Sequence, residues 1–288
     1  MTENLRQQAI ALYDQFTHEG LPRRTFMARM VALAGSVAAA EALIGSIAAS
    51  PAAAAVVPPN DPRLRSGLIH PAPRYDAYAA APRNQRRNLP GVLVIHENRG
   101  LNEHIRDVTR RLALAGYFAV APDFLSPLGG TPTDEDKARE MIDKLDLAAA
   151  TSAATAMLES LKRRPGGNGQ AGAVGFCWGG AFVNRLAVAA GPRLDAGVSY
   201  YGPAPDPSEA TKVRAPLLIH LAGLDERVNR TAFPWVEALR QNGKPVTFHL
   251  YEGVNHAFNN DTSAERYDKA AAQLAWRRSL DFFRRHLA

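Results

Sequence analysis

The sequence predicts an α/β fold in which helices flank a mostly parallel, doubly wound sheet. Val92-Leu93-Val94-Ile95 is a continuous apolar run of strand length, the pattern of a strand covered on both faces rather than one. Stretches with helical apolar spacing, such as Ile105, Val108, Leu112 and Ala115, alternate with runs of this kind. Repeated strand–helix units demand right-handed crossovers, and these build parallel sheets with ligands at the carboxyl ends of the strands. With 288 residues, 46% of them hydrophobic, the chain can bury one large core.

The first 55 residues read differently from the rest. Pro22-Arg23-Arg24-Thr25-Phe26-Met27 precedes a mildly apolar run from Val31 to Ala49, and Ala52-Ala53-Ala54-Ala55 follows. Charge, apolar segment and small-residue stretch in that order are the layout of an export leader, and the Arg-Arg-x-Phe pattern resembles a twin-arginine signal. The expected location is periplasmic or secreted, with the twin-arginine export machinery as partner. The alternative is a cytoplasmic protein whose N-terminal amphipathic helix packs on the domain. Glu41 interrupts the apolar run and argues against a stable membrane span.

Residues 56–66, rich in proline, read as a linker, and 67–288 as the α/β domain. Tyr75 to Ala80 suits an edge strand closed by Pro82. Val92 to Ile95 follows and ends at His96-Glu97-Asn98-Arg99-Gly100. Asn102 is placed to cap the next helix, and Gly116 to stop it. Phe118 to Ala121 reads as a buried strand. Helical patterns run from Asp134 to Leu145 and from Ala148 to Leu161, and Gly166-Gly167 separates them from a strand at Ala171 to Gly175. Further core strands are expected at Gly197–Tyr200, Leu217–Leu221 and Val246–Leu250. Trp276, Leu280, Phe283 and Leu287 then stripe a final helix.

A net charge of +6 does not imply nucleic-acid binding, because Lys and Arg are interspersed with Asp and Glu. Pairs such as Arg86-Arg87 and Arg284-Arg285 read as solvated surface. One cysteine excludes an intrachain disulfide and a Cys-rich metal site.

That cysteine lies in Gly175-Phe176-Cys177-Trp178-Gly179-Gly180, between a strand and a helix. The arrangement matches a nucleophile elbow with Cys in place of the usual Ser. Such a turn needs small residues two positions either side of the nucleophile, and Gly175 and Gly179 meet that need. The helix that follows aims its N-terminal amides at Cys177, favouring thiolate and offering the Trp178 N–H to an oxyanion. A buried structural cysteine is the bland alternative.

A thiolate nucleophile calls for a proton acceptor held by a carboxylate, on later strand ends. Asp225, in Gly223-Leu224-Asp225-Glu226, and His256, in Asn255-His256-Ala257-Phe258, follow successive strands in that order. Asp225 has a competing reading as a helix cap. Among the other histidines only His96 ends a strand, and it precedes Cys177.

Together with Ala121-Pro122-Asp123, these motifs resemble the dienelactone hydrolase family, or carboxymethylenebutenolidases, from about Arg65 to the C-terminus. The resemblance implies the α/β-hydrolase fold and a hydrolase that opens a lactone or small ester. It implies that Glu97 contacts the resting cysteine and helps generate its thiolate, and that the Asn98 N–H completes the oxyanion hole with Trp178. From chemistry alone, Glu97 is equally a salt-bridge partner for Arg99 or Arg106. No metal or organic cofactor is expected.

Family members acting on dienelactone grip its carboxylate with an Arg after the Pro-Asp motif and a Ser and Arg after the histidine. Here those stretches read Phe124-Leu125-Ser126 and Ala257-Phe258-Asn259-Asn260, so dienelactone itself is disfavoured unless Arg99 or another residue substitutes. Tyr200, Tyr201, Phe258 and Trp178 suit either an aromatic substrate pocket or simple packing. The rival functions are a carboxylesterase or thioesterase of other substrates, a catalytically silent binding protein on the same scaffold, and a redox thiol, the last weakened by the lack of a resolving cysteine.

Overall fold

The structure, a computed structural model, describes residues 2–48, 55–85 and 88–288. Most of the expected cleavage stretch, Ala52 to Ala54, and the pair Arg86-Arg87 lie outside the described residues. Three helices come first: α1 (Glu3–His18), α2 (Arg23–Ala34) and α3 (Val37–Ile47). Thr2 and Ser36 accept from backbone amides to cap α1 and α3, and Gly35, at φ 84°, ends α2 in the left-handed conformation glycine favours. Ile10, Tyr13, Phe26, Met30, Leu43 and Ile47 pack into a small core of their own. No single helix among the described residues is long and apolar enough to cross a membrane.

The domain follows in strand–helix alternation: β1 (Leu64–Ala72), β2 (Tyr75–Pro82), β3 (Leu89–Ile95), α4 (Glu103–Leu114), β4 (Phe118–Pro122), α5 (Glu135–Ile142), α6 (Leu147–Arg163), β5 (Gly167–Phe176), α7 (Trp178–Ala189), β6 (Ala196–Tyr200), β7 (Leu217–Ala222), α8 (Glu226–Gln241), β8 (Val246–Tyr251) and α9 (Lys269–Leu287). The strands form one sheet ordered β1-β2-β4-β3-β5-β6-β7-β8. From β4 to β8 every pairing is parallel, whereas β1 and β2 run antiparallel. This is the mixed sheet of an α/β-hydrolase fold. Tyr75 to Ala80 is not at the edge, because β1, which starts inside the stretch read as linker, takes that place.

Pleating explains the continuous apolar runs. Leu93 and Ile95 of β3 face a core shared with α6, α7 and α8, while Val92 and Val94 face one shared with α4 and α9. Both faces are thus dry, and the polar residues at the carboxyl ends of β3, β5, β7 and β8 are left to converge at one rim of the sheet.

Candidate active site

Cys177 occupies the turn between β5 and α7 at φ 54° and ψ −113°, a strained conformation for a residue with a Cβ. The flanking glycines make it attainable. A Cβ on Gly175 would lie 2.0 Å from the Gly179 carbonyl oxygen, and one on Gly179 would lie 2.2 Å from that of Ile95. The Cys177 amide donates to Tyr200 O at 3.0 Å, tying the turn to β6. Trp178 is the first residue of α7, where backbone N–H groups have no intrahelical acceptor.

Asp225 follows β7 and His256 follows β8, and both are buried. His256 Nδ1 lies 2.5 Å from Asp225 Oδ2. A carboxylate only accepts, so Nδ1 carries the hydrogen and Nε2 is left for the far side of the ring. Nε2 is buried without a hydrogen-bond partner among the described residues. One ring nitrogen of His256 and one of His18 lie within 4.8 Å of Cys177 Sγ and of each other. Burial opposes a charge on His256, but the Asp225 carboxylate and the Cys177 sulfur outweigh it and raise its pKa to about 10. Asp225 is likewise opposed by burial, and the His256 imidazole nevertheless holds its pKa below the ordinary carboxylate value.

The β3 end supplies Glu97, Asn98 and Arg99. Glu97 is buried and accepts a hydrogen bond from Asn260 Nδ2 at 2.9 Å; among the described residues no ion pair joins it to Arg99 or Arg106. Arg99, also buried, pairs with Glu135 at 3.1 Å and donates to Tyr13 Oη at 2.7 Å. Asp123, from the Ala-Pro-Asp motif, braces this loop. It accepts from the Leu125 and Thr131 amides and from Thr131 Oγ1, and Thr131 Oγ1 in turn accepts from the Leu101 amide at 2.8 Å.

His96 is not a competing base. Phe124 N–H donates to its Nε2 at 3.2 Å, so Nδ1–H donates to Glu97 O at 2.7 Å and both nitrogens are used. Three residues expected to line a substrate pocket do something else. Tyr200, wholly buried, bonds Ser279 Oγ at 2.7 Å. Phe258 packs in the core against Tyr251, and Tyr201 sits behind the ring of His256 at 5.1 Å. None of the three is among the walls of the cavity at Cys177; Tyr200 and Phe258 pack into the sheet face that α9 covers, while Tyr201 stays beside the site, where burial and the nearby Glu97 and Cys177 charges raise the pKa of its hydroxyl. Arg99 does reach the cavity.

That cavity is small, about 10 Å³, roughly the space of one water. Besides Glu97, Asn98, Arg99, Cys177 and His256 its walls include Thr17 and His18 from α1, and Arg266. A much wider depression, about 860 Å³, is an open groove along α6 and α7 that contains none of the candidate residues. Thr17, His18, Asn260 and Arg266 escaped sequence reasoning. Asn260 and Arg266 carry no motif, and His18 lies 159 positions before the cysteine it faces.

The dienelactone hydrolase family profile matches residues 75–287, which holds β2 to α9 and every element of this rim except α1. The chain belongs to the dienelactone hydrolase family. It is 32% identical over 257 residues to an Escherichia coli K12 protein described as a candidate carboxymethylenebutenolidase, covering 83% of this chain and 94% of that one. A relative from Methylorubrum extorquens with the same description is 34% identical over 229 residues, with 73% and 76% covered. Among solved structures, a candidate dienelactone hydrolase from Klebsiella pneumoniae superposes with a TM-score of 0.70 at 29% identity, over 77% of this chain and 98% of that one. Membership of the dienelactone hydrolase family makes this chain a hydrolase of the lactone and ester class.

Proposed function

We propose that the chain hydrolyses a lactone or small carboxylic ester through Cys177, His256 and Asp225, with no cofactor. The observation that carries this reading is His256, fixed by Asp225 through Nδ1 with its other face turned to the Cys177 sulfur.

In the proposed reaction the Cys177 thiolate adds to the carbonyl carbon, and the amides of Asn98 and Trp178 hold the oxyanion. Collapse breaks the C–O bond, and the leaving alkoxide takes a proton from His256. A water then gives a proton to His256 and adds to the thioester; collapse releases the acid and returns the thiolate. Glu97, anchored by Asn260, acts on the resting cysteine as the family resemblance implies.

The substrate class follows from two cations. Arg99, in the turn after β3, and Arg266, in the turn before α9, are both buried and line the cavity, so guanidinium groups, paired with Glu135 and Asp14 while α1 is seated, stand near the nucleophile although the usual Arg and Ser positions are occupied by other residues. This favours esters or lactones that carry a carboxylate. Export by the twin-arginine route is part of the proposal: Arg23 and Arg24 open α2 with exposed side chains, Arg23 pairing with Asp136.

The test is hydrolysis of lactones and aryl esters, each with and without a carboxylate, by the purified protein and its Cys177→Ala and His256→Ala variants. Activity lost in both variants supports the mechanism. Activity unchanged in Cys177→Ala removes the nucleophile, and equal rates on charged and neutral esters remove the substrate class.

A further inference from the structure

Residues 3–47 fold back over the rim that holds Cys177. Their contacts with the domain converge there. Asn98 Nδ2 donates to Thr17 O at 3.2 Å, and the ring of His18 lies 4.7 Å from that of His256. Arg99 donates to Tyr13 Oη, and Arg266 pairs with Asp14 at 3.3 Å. Farther out, Arg6 pairs with Glu265 at 2.7 Å, Ser263 Oγ donates to Ile47 O at 2.5 Å, and the Glu265 amide donates to Ser46 O at 3.1 Å. The C-terminal turn of α1 thereby takes the space above the nucleophile and leaves only the small cavity, which admits no ester.

The seam has the character of a surface made to part. The apolar residues of α1–α3 form a cluster separate from the two that flank the sheet, while the contacts across the seam include hydrogen bonds, ion pairs, a ring pair and the guanidinium groups of Arg139 and Arg266 over Phe16 and Tyr13. Opening it exposes polar groups that water can satisfy and leaves both cores intact.

We propose that the α1–α3 unit is an autoinhibitory cover: while α1 is seated, hydrolysis is held to the low rate allowed by its transient opening, and displacement or removal of the unit opens Cys177 to substrate. The activity it restrains rests on the hydrolytic reading above, but the occlusion does not. Removal of an exported leader and displacement by a partner are two routes to the same open state.

Cys177 is the lone thiol of the chain, so alkylation by iodoacetamide reports its access without any assumption about catalysis. The full chain and a Tyr13→Phe/Asp14→Asn/His18→Ala variant, which loosens the seam and keeps the apolar cluster, are compared. The expected result is a rise of about tenfold or more in alkylation rate, with a matching rise in ester hydrolysis. Alkylation within about twofold of wild type overturns the proposal. A second measurement needs no variant: wild-type alkylation is followed against urea. Acceleration well below the global unfolding midpoint supports a cover that opens by itself, and a rate that stays flat until global unfolding overturns it. Faster alkylation without faster hydrolysis upholds the occlusion and counts against the hydrolytic reading.

Discussion

Asp225 divides its carboxylate between His256 and a helix: Oδ2 lies 2.5 Å from His256 Nδ1, while Oδ1 accepts from the Val228 amide at the start of α8. Each oxygen has its own contact: Oδ1 caps the helix, and Oδ2 meets the imidazole in the position an orienting acid would take. Asp225→Ala should therefore fail twice. Loss of the cap costs about 1 kcal/mol, and loss of the imidazole's partner should lower kcat on the order of 1,000-fold. Thermal denaturation beside steady-state kinetics separates the two losses. A variant that loses activity only in proportion to its unfolded fraction would show that the acid merely caps.

Cys177→Ala and His256→Ala should each reduce ester hydrolysis on the order of 1,000-fold or more, and the double variant little further, because the two residues act as one unit. Multiplicative losses in the double variant would mean that they act separately.

The raised pKa of His256 makes a prediction about stability. An unfolded histidine titrates near 6.5, whereas the folded one titrates near 10. The native state thus prefers the protonated form, and its contribution is fully present below about pH 6.5 and lost as pH rises through about 10. The stability advantage of wild type over His256→Gln, read from urea unfolding, should shrink steadily across that window. An advantage independent of pH between those limits would show that Asp225 and Cys177 do not favour the imidazolium.

Gly179→Ala should be severe. Its new Cβ would stand 2.2 Å from the Ile95 carbonyl, and backbone on both sides leaves no flexible side chain to yield. A loss of about 3 kcal/mol or more is expected, read as a lowered urea midpoint. An unchanged midpoint would mean that the elbow tolerates a wider separation between α7 and β3.

Asn260→Ala removes the donor that meets Glu97 and leaves a buried carboxylate short of a partner, at a cost of about 1–3 kcal/mol. If Glu97 also acts on Cys177, the alkylation rate of the lone thiol should change in this variant more than in one made at an exposed position such as Arg24→Ala. Equal rates would confine Asn260 to a structural role.

Much of this architecture was legible in the chain itself. β3 announced itself by the unbroken apolar run Val92 to Ile95, because a strand buried on both faces has no polar side to show. Asn102 marked the start of α4, where its side chain accepts from the Ile105 amide at 3.2 Å. The elbow at Cys177 was visible because its sterics act within five residues: Gly175 and Gly179 are what the backbone requires there. Each of these signals is local, a matter of period, cap or close approach between neighbours.

The remainder was set by contacts between distant residues, for which a chain carries no periodic mark. The antiparallel β1 took the edge expected of β2 because pairing depends on which strand is free in space. Tyr200 and Phe258 turned inward because the polar and apolar neighbours that surround them come from α9 and β8. His18 meets His256, and Asp14 meets Arg266, only because residues 3–47 lie over the rim in the folded chain. Local chemistry chose the strands, the turn and the order of the reactive groups. The company those groups keep was decided by packing, since burial and charge pairing depend on position in space rather than on separation along the chain.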